Sequence, residues 1–154
     1  MGGGGLPKDD AQAVTWYQQA AEANNANGMV LLGIMYEGGW GGLPKDDAQA
    51  VTWYQKAAEA NDPNGMVSLG IMYEHGRGGL AKDEGQAVQW YQKAAQDNDP
   101  DGMVWLGFMY ERGRGGLPKD DVQAIRWYQK ATETDESASN RDFAQKALQR
   151  LRKR

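Results

Sequence analysis

A unit of 37 residues recurs along this chain almost unchanged, and that constrains the fold more than any other feature. Leu6, Leu43, Leu80 and Leu117 are each 37 positions apart, as are Trp16, Trp53, Trp90 and Trp127. Gly33, Gly70 and Gly107 keep the same interval. A fixed period of this length signals a stack of supersecondary units, each too small to bury its own apolar face. The period divides the chain into repeats at about 6–42, 43–79 and 80–116, with a half repeat at 117–134.

Each unit predicts two helices. The first is expected to begin near Asp9–Asp10, and in the copies at Asp46–Asp47, Asp83–Glu84 and Asp120–Asp121. An acidic side chain there caps free N–H groups and suits the positive end of the helix dipole. Ala13, Tyr17, Ala20 and Ala21 give this helix one apolar face. Asn61-Asp62-Pro63 and Asp99-Pro100 then break the chain, each Pro opening a second helix capped by the preceding Asp. Met66, Leu69, Gly70 and Tyr73 share a face of that helix, which ends in Gly76-Arg77-Gly78-Gly79, where Gly tolerates left-handed backbone angles. No segment alternates with period two. The expected fold is therefore all-α, an α/α superhelical solenoid of helix-turn-helix repeats forming a single domain over 1–154. Ala20, Ala21 and Gly33, with their copies, allow close helix approach, while Trp and Tyr are expected to fill the layers between.

After the fourth first-helix the recipe changes. Asp135-Glu136-Ser137 opens a segment in which Phe143, Ala144, Ala147, Leu148 and Leu151 form an amphipathic face. It predicts a C-terminal capping helix over about 136–152, covering the last apolar layer. Nothing comparable precedes the first unit, which opens on Met1-Gly-Gly-Gly-Gly. An uncovered N-terminal face of this kind invites homo-oligomerisation. Near-identical units also suit an engineered array or a fragment of a longer solenoid.

These residues resemble the Sel-one-like repeats, relatives of the tetratricopeptide repeats. Leu69, Gly70, Met72, Tyr73, Gly76 and Gly78, followed by Asp83, Ala87, Trp90, Tyr91, Lys93, Ala94 and Ala95, match that family's signature across about 130 residues. The resemblance implies a scaffold or adaptor that binds protein, commonly bacterial. Two departures stand out: Gly-Gly-Leu replaces a shorter Gly-Val junction, and Gly28, Gly65 and Gly102 stand where the family commonly has Ala. Both imply a looser or retuned superhelix.

Composition removes other classes. The chain has one His and no Cys, so it lacks disulfides and thiolate chemistry, and no nucleophile–base–acid set emerges. His75 lies in a turn where Gly38 and Arg112 serve equally well, which makes it a surface residue. Glu37, Glu74 and Glu111 recur by repetition, not as an acid–base pair. The Gly runs match no phosphate loop. The reading is a non-enzyme with no cofactor or metal site. No apolar run spans a membrane, and no signal peptide opens the sequence, which favours the cytoplasm. Residues 141–154 carry six basic groups against one acid, a balance of +5, while the remainder has 11 basic and 20 acidic residues, or −9. An acidic body repels nucleic acid over most of its surface, so nucleic acid is not the expected partner.

Copies that pack alike should agree where they pack and diverge where they do not. One first-helix stripe diverges: Thr15 and Gln19, Thr52 and Lys56, Gln89 and Lys93, Arg126 and Lys130. In solenoids resembling this one, that face lines the concave groove, and these residues are the candidate contacts for a peptide or protein segment. The second helix diverges at Leu31, Ser68 and Trp105, and at Gly38, His75 and Arg112. Four Trp recur with the repeat and are expected in the core. Trp40 and Trp105 do not recur, and Trp is enriched at binding hot spots, so both join the candidates.

Overall fold

The computed structural model describes residues 6–134 and 138–154. Among them are eight helices and no strand: α1 (Leu6–Glu22), α2 (Ala26–Gly38), α3 (Asp47–Glu59), α4 (Pro63–His75), α5 (Glu84–Gln96), α6 (Pro100–Arg112), α7 (Asp121–Thr134) and α8 (Ala138–Arg152). They fall into two compact units, one ending at Lys82 and one starting at Asp83. The expected opening of the last helix at Asp135-Glu136-Ser137 lies outside the described residues.

The caps form where the sequence places them. Asp46, Asp83 and Asp120 accept hydrogen bonds from the backbone N–H of Gln49, Gln86 and Gln123 at 2.9–3.0 Å. Asn25, Asp62 and Asp99 do the same for Gly28, Gly65 and Gly102 at 2.8–3.0 Å. Asn24, Asn61 and Asn98 take φ near +60°, letting the chain reverse between the two helices. Asn is among the few non-Gly residues that adopt this region readily.

One boundary differs from expectation. α1 starts at Leu6, upstream of Asp9–Asp10. In later copies the matching stretch is tied to the preceding second helix instead. The Asp46 N–H donates to the Tyr36 carbonyl at 2.8 Å, and the Asp120 N–H to the Tyr110 carbonyl at 2.9 Å. Those bonds hold the strap extended until the capping Asp; α1 has no such tether among the described residues.

The core also differs from expectation. Tyr54, Tyr91 and Tyr128 are 0–1% exposed, whereas the recurring Trp53, Trp90 and Trp127 are half-buried and Trp16 is 69% exposed. Adjacent residues on a helix are rotated by about 100°, so only one of the Trp-Tyr pair can face the seam. Tyr takes it because Gly33 and Gly107 open a slot. A Cβ on them would lie 2.5 Å from the Tyr54 ring and 2.9 Å from the Tyr128 ring. Trp is left at the edge, where lysine covers it: Lys56, Lys93 and Lys130 place their ammonium groups 4.5, 4.5 and 5.5 Å from the centroids of Trp53, Trp90 and Trp127.

Buried tyrosine requires a partner for its hydroxyl, and glutamate provides it. In the first unit Tyr54 donates to Glu37 at 2.8 Å; Arg77 reaches the other Glu37 oxygen at 2.7 Å and both Asp47 oxygens at 3.0 Å. One turn arginine thus joins the end of α2 to the start of α3. In the second unit Tyr128 donates to Glu111 at 3.0 Å, and Arg150 of α8 grips both Glu111 oxygens at 2.8 Å. Arg114 meets Glu84 at 2.5 Å. The basic C-terminus is thus a structural element, in which Arg150 performs for Glu111 what Arg77 performs for Glu37. Arg154 approaches Glu111 and Asp121 at 3.7 and 3.8 Å.

Burial, and secondarily the carboxylate of Glu37, raises the Tyr54 pKa far above the ordinary phenol value; burial and Glu111 do the same for Tyr128. The neutral phenol is therefore favoured in the fold. Its contribution is complete below the unfolded value of about 10 and is lost as pH climbs above that point. Tyrosine absorbance titrated upward in pH is expected to show Tyr54 and Tyr128 ionising only with cooperative unfolding. Independent titration of all tyrosines near pH 10 in a folded chain contradicts this.

Candidate interaction surface

The first-helix stripe emerges on the surface of both units. In the first, Thr15, Gln19, Thr52 and Lys56 are exposed; in the second, Gln89, Lys93, Arg126 and Lys130 are exposed. Thr15 and Thr52 turn their hydroxyls back to the carbonyls of Ala11 and Ala48 at 3.1 and 3.0 Å. Their methyl groups and the unpaired hydroxyl lone pairs remain available. Two shallow depressions accompany the stripe in the first unit. One, about 370 Å³, is lined by Gln12, Thr15, Trp16 and Gln19. The other, about 390 Å³, lies among Glu22, Asn24, Met29, Trp53, Lys56 and Glu59.

The expected concave placement of this stripe needs correction within each unit. The second helices approach one another directly, α2 with α4 and α6 with α8, whereas α1 and α3, or α5 and α7, have no Cα pair within 8 Å. A layer of paired helices bends toward the members that lie closer together. The first-helix stripe therefore occupies the outer side of each unit's bend, and the second helices the inner side.

The two non-recurring tryptophans have different surroundings. Trp40 is 53% exposed and lies across Gly38, where a Cβ would come 2.5 Å from its ring. Gly38 and Trp40 thus differ from the other copies together: a small residue makes room for the ring that replaces a turn arginine. Trp105 is half-buried, stacked on Tyr91 at 5.7 Å and edge-on to Phe108 at 6.1 Å. It borders an apolar cavity of about 310 Å³ with Val104, Phe108, Asn140 and Phe143. The sequence singles out Trp105 but not Phe108 or Phe143 as binding residues. The available signal is the stripe spacing from Trp105 to Phe108, three residues along one helix.

His75 is exposed, its Nδ1 3.0 Å from the Ile71 carbonyl, as a surface turn residue should be. Among the described residues no helix is long and apolar enough to cross a membrane.

Consecutive helix pairs, capped alike and linked by glycine turns, define a helical repeat protein of the α/α solenoid class. Sel1 repeat matches cover residues 1–25, 26–62, 63–99 and 100–133, the family frame opening at the second helix. The chain belongs to the Sel1 repeat family. It is similar to a Sel1 repeat protein from Oxalobacter formigenes at 35% identity and a TM-score of 0.76, covering 89% of this chain and 54% of that one. It also resembles c5321, a protective antigen of uropathogenic Escherichia coli with an SLR fold, at 30% identity and a TM-score of 0.80. There 92% of this chain is covered and 29% of the other. Cysteine rich protein B of Helicobacter pylori matches at 31% identity and a TM-score of 0.66, over 92% of this chain and 99% of that one. The chain thus spans about half of the first relative's length and less than a third of the second's. A comparison with curated proteins finds no match. Sel1 repeat proteins generally act as scaffolds for protein–protein interaction.

Proposed function

We propose that this chain is a non-catalytic scaffold, one continuous array that holds a peptide or protein segment against its exposed first-helix stripe. The observation that carries this reading is where the copies differ. They are near-identical at buried positions, yet the exposed stripe changes from Thr15 and Gln19 to Thr52 and Lys56 in the first unit, and from Gln89 and Lys93 to Arg126 and Lys130 in the second. The lysines of the stripe also cover the recurring Trp rings, whereas no ring contact involves Thr15, Thr52, Gln89 or Arg126, so divergence at that position is free to serve recognition. The groups offered are hydroxyls, amides, ammonium and guanidinium, which suits a polar segment with some negative charge.

The test pairs the whole chain with a Thr52→Ala, Gln89→Ala, Arg126→Ala variant in affinity capture from the host, followed by titration of the captured partner. Binding is expected to fall by roughly tenfold or more, with the thermal midpoint unchanged because all three are exposed. Unchanged affinity would exclude the stripe.

Self-association is the second reading, and one observation favours it. Trp16 is 69% exposed while its three copies are half-buried, and Tyr17 is half-buried while its copies are fully buried. Covering the α1 face with a second copy gives these rings the environment of their counterparts. Light scattering should then report a mass that rises with concentration; a constant monomer mass rejects it.

A further inference from the structure

One stripe of α6 reads Asp101, Trp105, Phe108, Arg112, at helical spacings of four, three and four. The same stripe is Asn64, Ser68, Ile71, His75 in α4 and Asn27, Leu31, Ile34, Gly38 in α2. Only α6 sets two aromatic rings between an acid and a base. The capping helix lies alongside. Asn140 donates to Asp101 and Arg150 to Glu111, and both links span 39 residues, so α6 and α8 run parallel and in register.

Between those two links the helices part around the cavity of about 310 Å³. Its aromatic walls pack on first-helix rings: Trp105 is stacked on Tyr91, and Phe143 lies edge-on to Tyr128 at 6.2 Å. Yet Phe143 remains 44% exposed. Beside the lining Phe108, the exposed Arg112 guanidinium sits 5.4 Å from that ring's centroid and makes no ion pair among the described residues. The opposite end of the groove is already satisfied by the Asn140–Asp101 bond.

We propose that this groove binds a short segment of a partner protein carrying a bulky apolar residue followed, two positions later, by Asp or Glu. The apolar side chain fills the cavity between Trp105 and Phe143, and the carboxylate pairs with Arg112. Size sets the first requirement: the cavity is near the lower end of the ~300–1,000 Å³ range of ligand sites and admits a side chain, not a helix. Charge sets the second. The exposed group beside Phe108 without an ion pair among the described residues is the Arg112 cation. Distance sets the third. Phe108 and Arg112 are about one helical turn, or roughly 5.4 Å, apart, which one to two residues of extended peptide span at ~3.3 Å each. No residue of the first-helix stripe lines this cavity, and the proposal does not rest on that stripe.

The probe is a blocked heptapeptide, Ser-Gly-Phe-Ser-Glu-Gly-Ser, titrated into the full ¹⁵N-labelled chain while the six Trp indole N–H signals are followed. Trp105→Phe assigns the relevant signal. Saturable shifts of the Trp105 indole and the Asn140 side-chain amide are expected. The Glu→Lys peptide should bind about tenfold more weakly, and the Phe→Ser peptide should produce no saturable shift. Arg112→Gln, an exposed change, should weaken the parent peptide about tenfold and leave the Glu→Gln peptide unaffected. The proposal is overturned by any of three results: no saturable shift up to millimolar peptide, equal binding of the Glu→Lys peptide, or shifts confined to other tryptophans.

Discussion

Replacing Arg150 with methionine is expected to destabilise the second unit by about 3 kcal/mol, read from the shift in its urea-unfolding midpoint. The Glu111 side chain is wholly buried, and Arg150 supplies both of its close cationic contacts. Without them the carboxylate keeps only the Tyr128 hydroxyl and Arg154 at 3.7 Å. A buried charge deprived of its partner costs several kcal/mol; the lower end applies because Arg150 is itself 44% exposed. Methionine retains much of the aliphatic stem, so lost packing does not explain the effect. A cycle with Glu111→Gln separates charge from shape: once Glu111 is neutral, Arg150→Met should cost far less. A change below about 0.5 kcal/mol, or the same cost in both backgrounds, contradicts the role given to this pair.

Gly65→Ala should lose about 2 kcal/mol, even though alanine is the better helix former by about 1 kcal/mol. A Cβ there would lie 2.6 Å from the Ala57 Cβ and 2.8 Å from the Ala58 backbone nitrogen. Backbone cannot yield as a flexible side chain can, so α3 and α4 would have to separate. Gly28 against Ala20 and Gly102 against Ala94 repeat the geometry at 2.5 and 2.6 Å. Glycine at these positions therefore tightens each helix pair, where the sequence suggests a looser array. Combining Ala57→Gly with Gly65→Ala should recover part of the loss, because the two methyl positions face each other across the seam. Stabilisation by Gly65→Ala alone would show that the pair has room to spare.

Much of this architecture is legible from the sequence, and the part that is not has a definite cause. The 37-residue period, the helix pairs, the aspartate caps and the glycine stops all depend on local chemistry, which a single chain displays directly. The sequence misplaces the recurring Trp because Trp and Tyr are both large, amphipathic and equally regular. The slot that decides between them is opened by Gly33, on a different helix. The glutamate series looks like mere repetition for a similar reason. Its partners lie 17 residues away at Tyr54, 40 away at Arg77, and, for Glu111, 39 away at Arg150. Those intervals differ from the period, so the repeat itself conceals them. At the candidate site the divergent stripe and Trp105 are legible. That the stripe lies on the outer side of each unit is not, since curvature depends on which helices approach one another.

The scaffold reading can be examined most directly by hydrogen exchange of the whole chain, with and without its captured partner. Protection gained on binding is expected to concentrate on α3, α5 and α7 around Thr52, Gln89 and Arg126, and to disappear in the triple variant. A footprint confined to the second helices, or unchanged by the triple substitution, would contradict it.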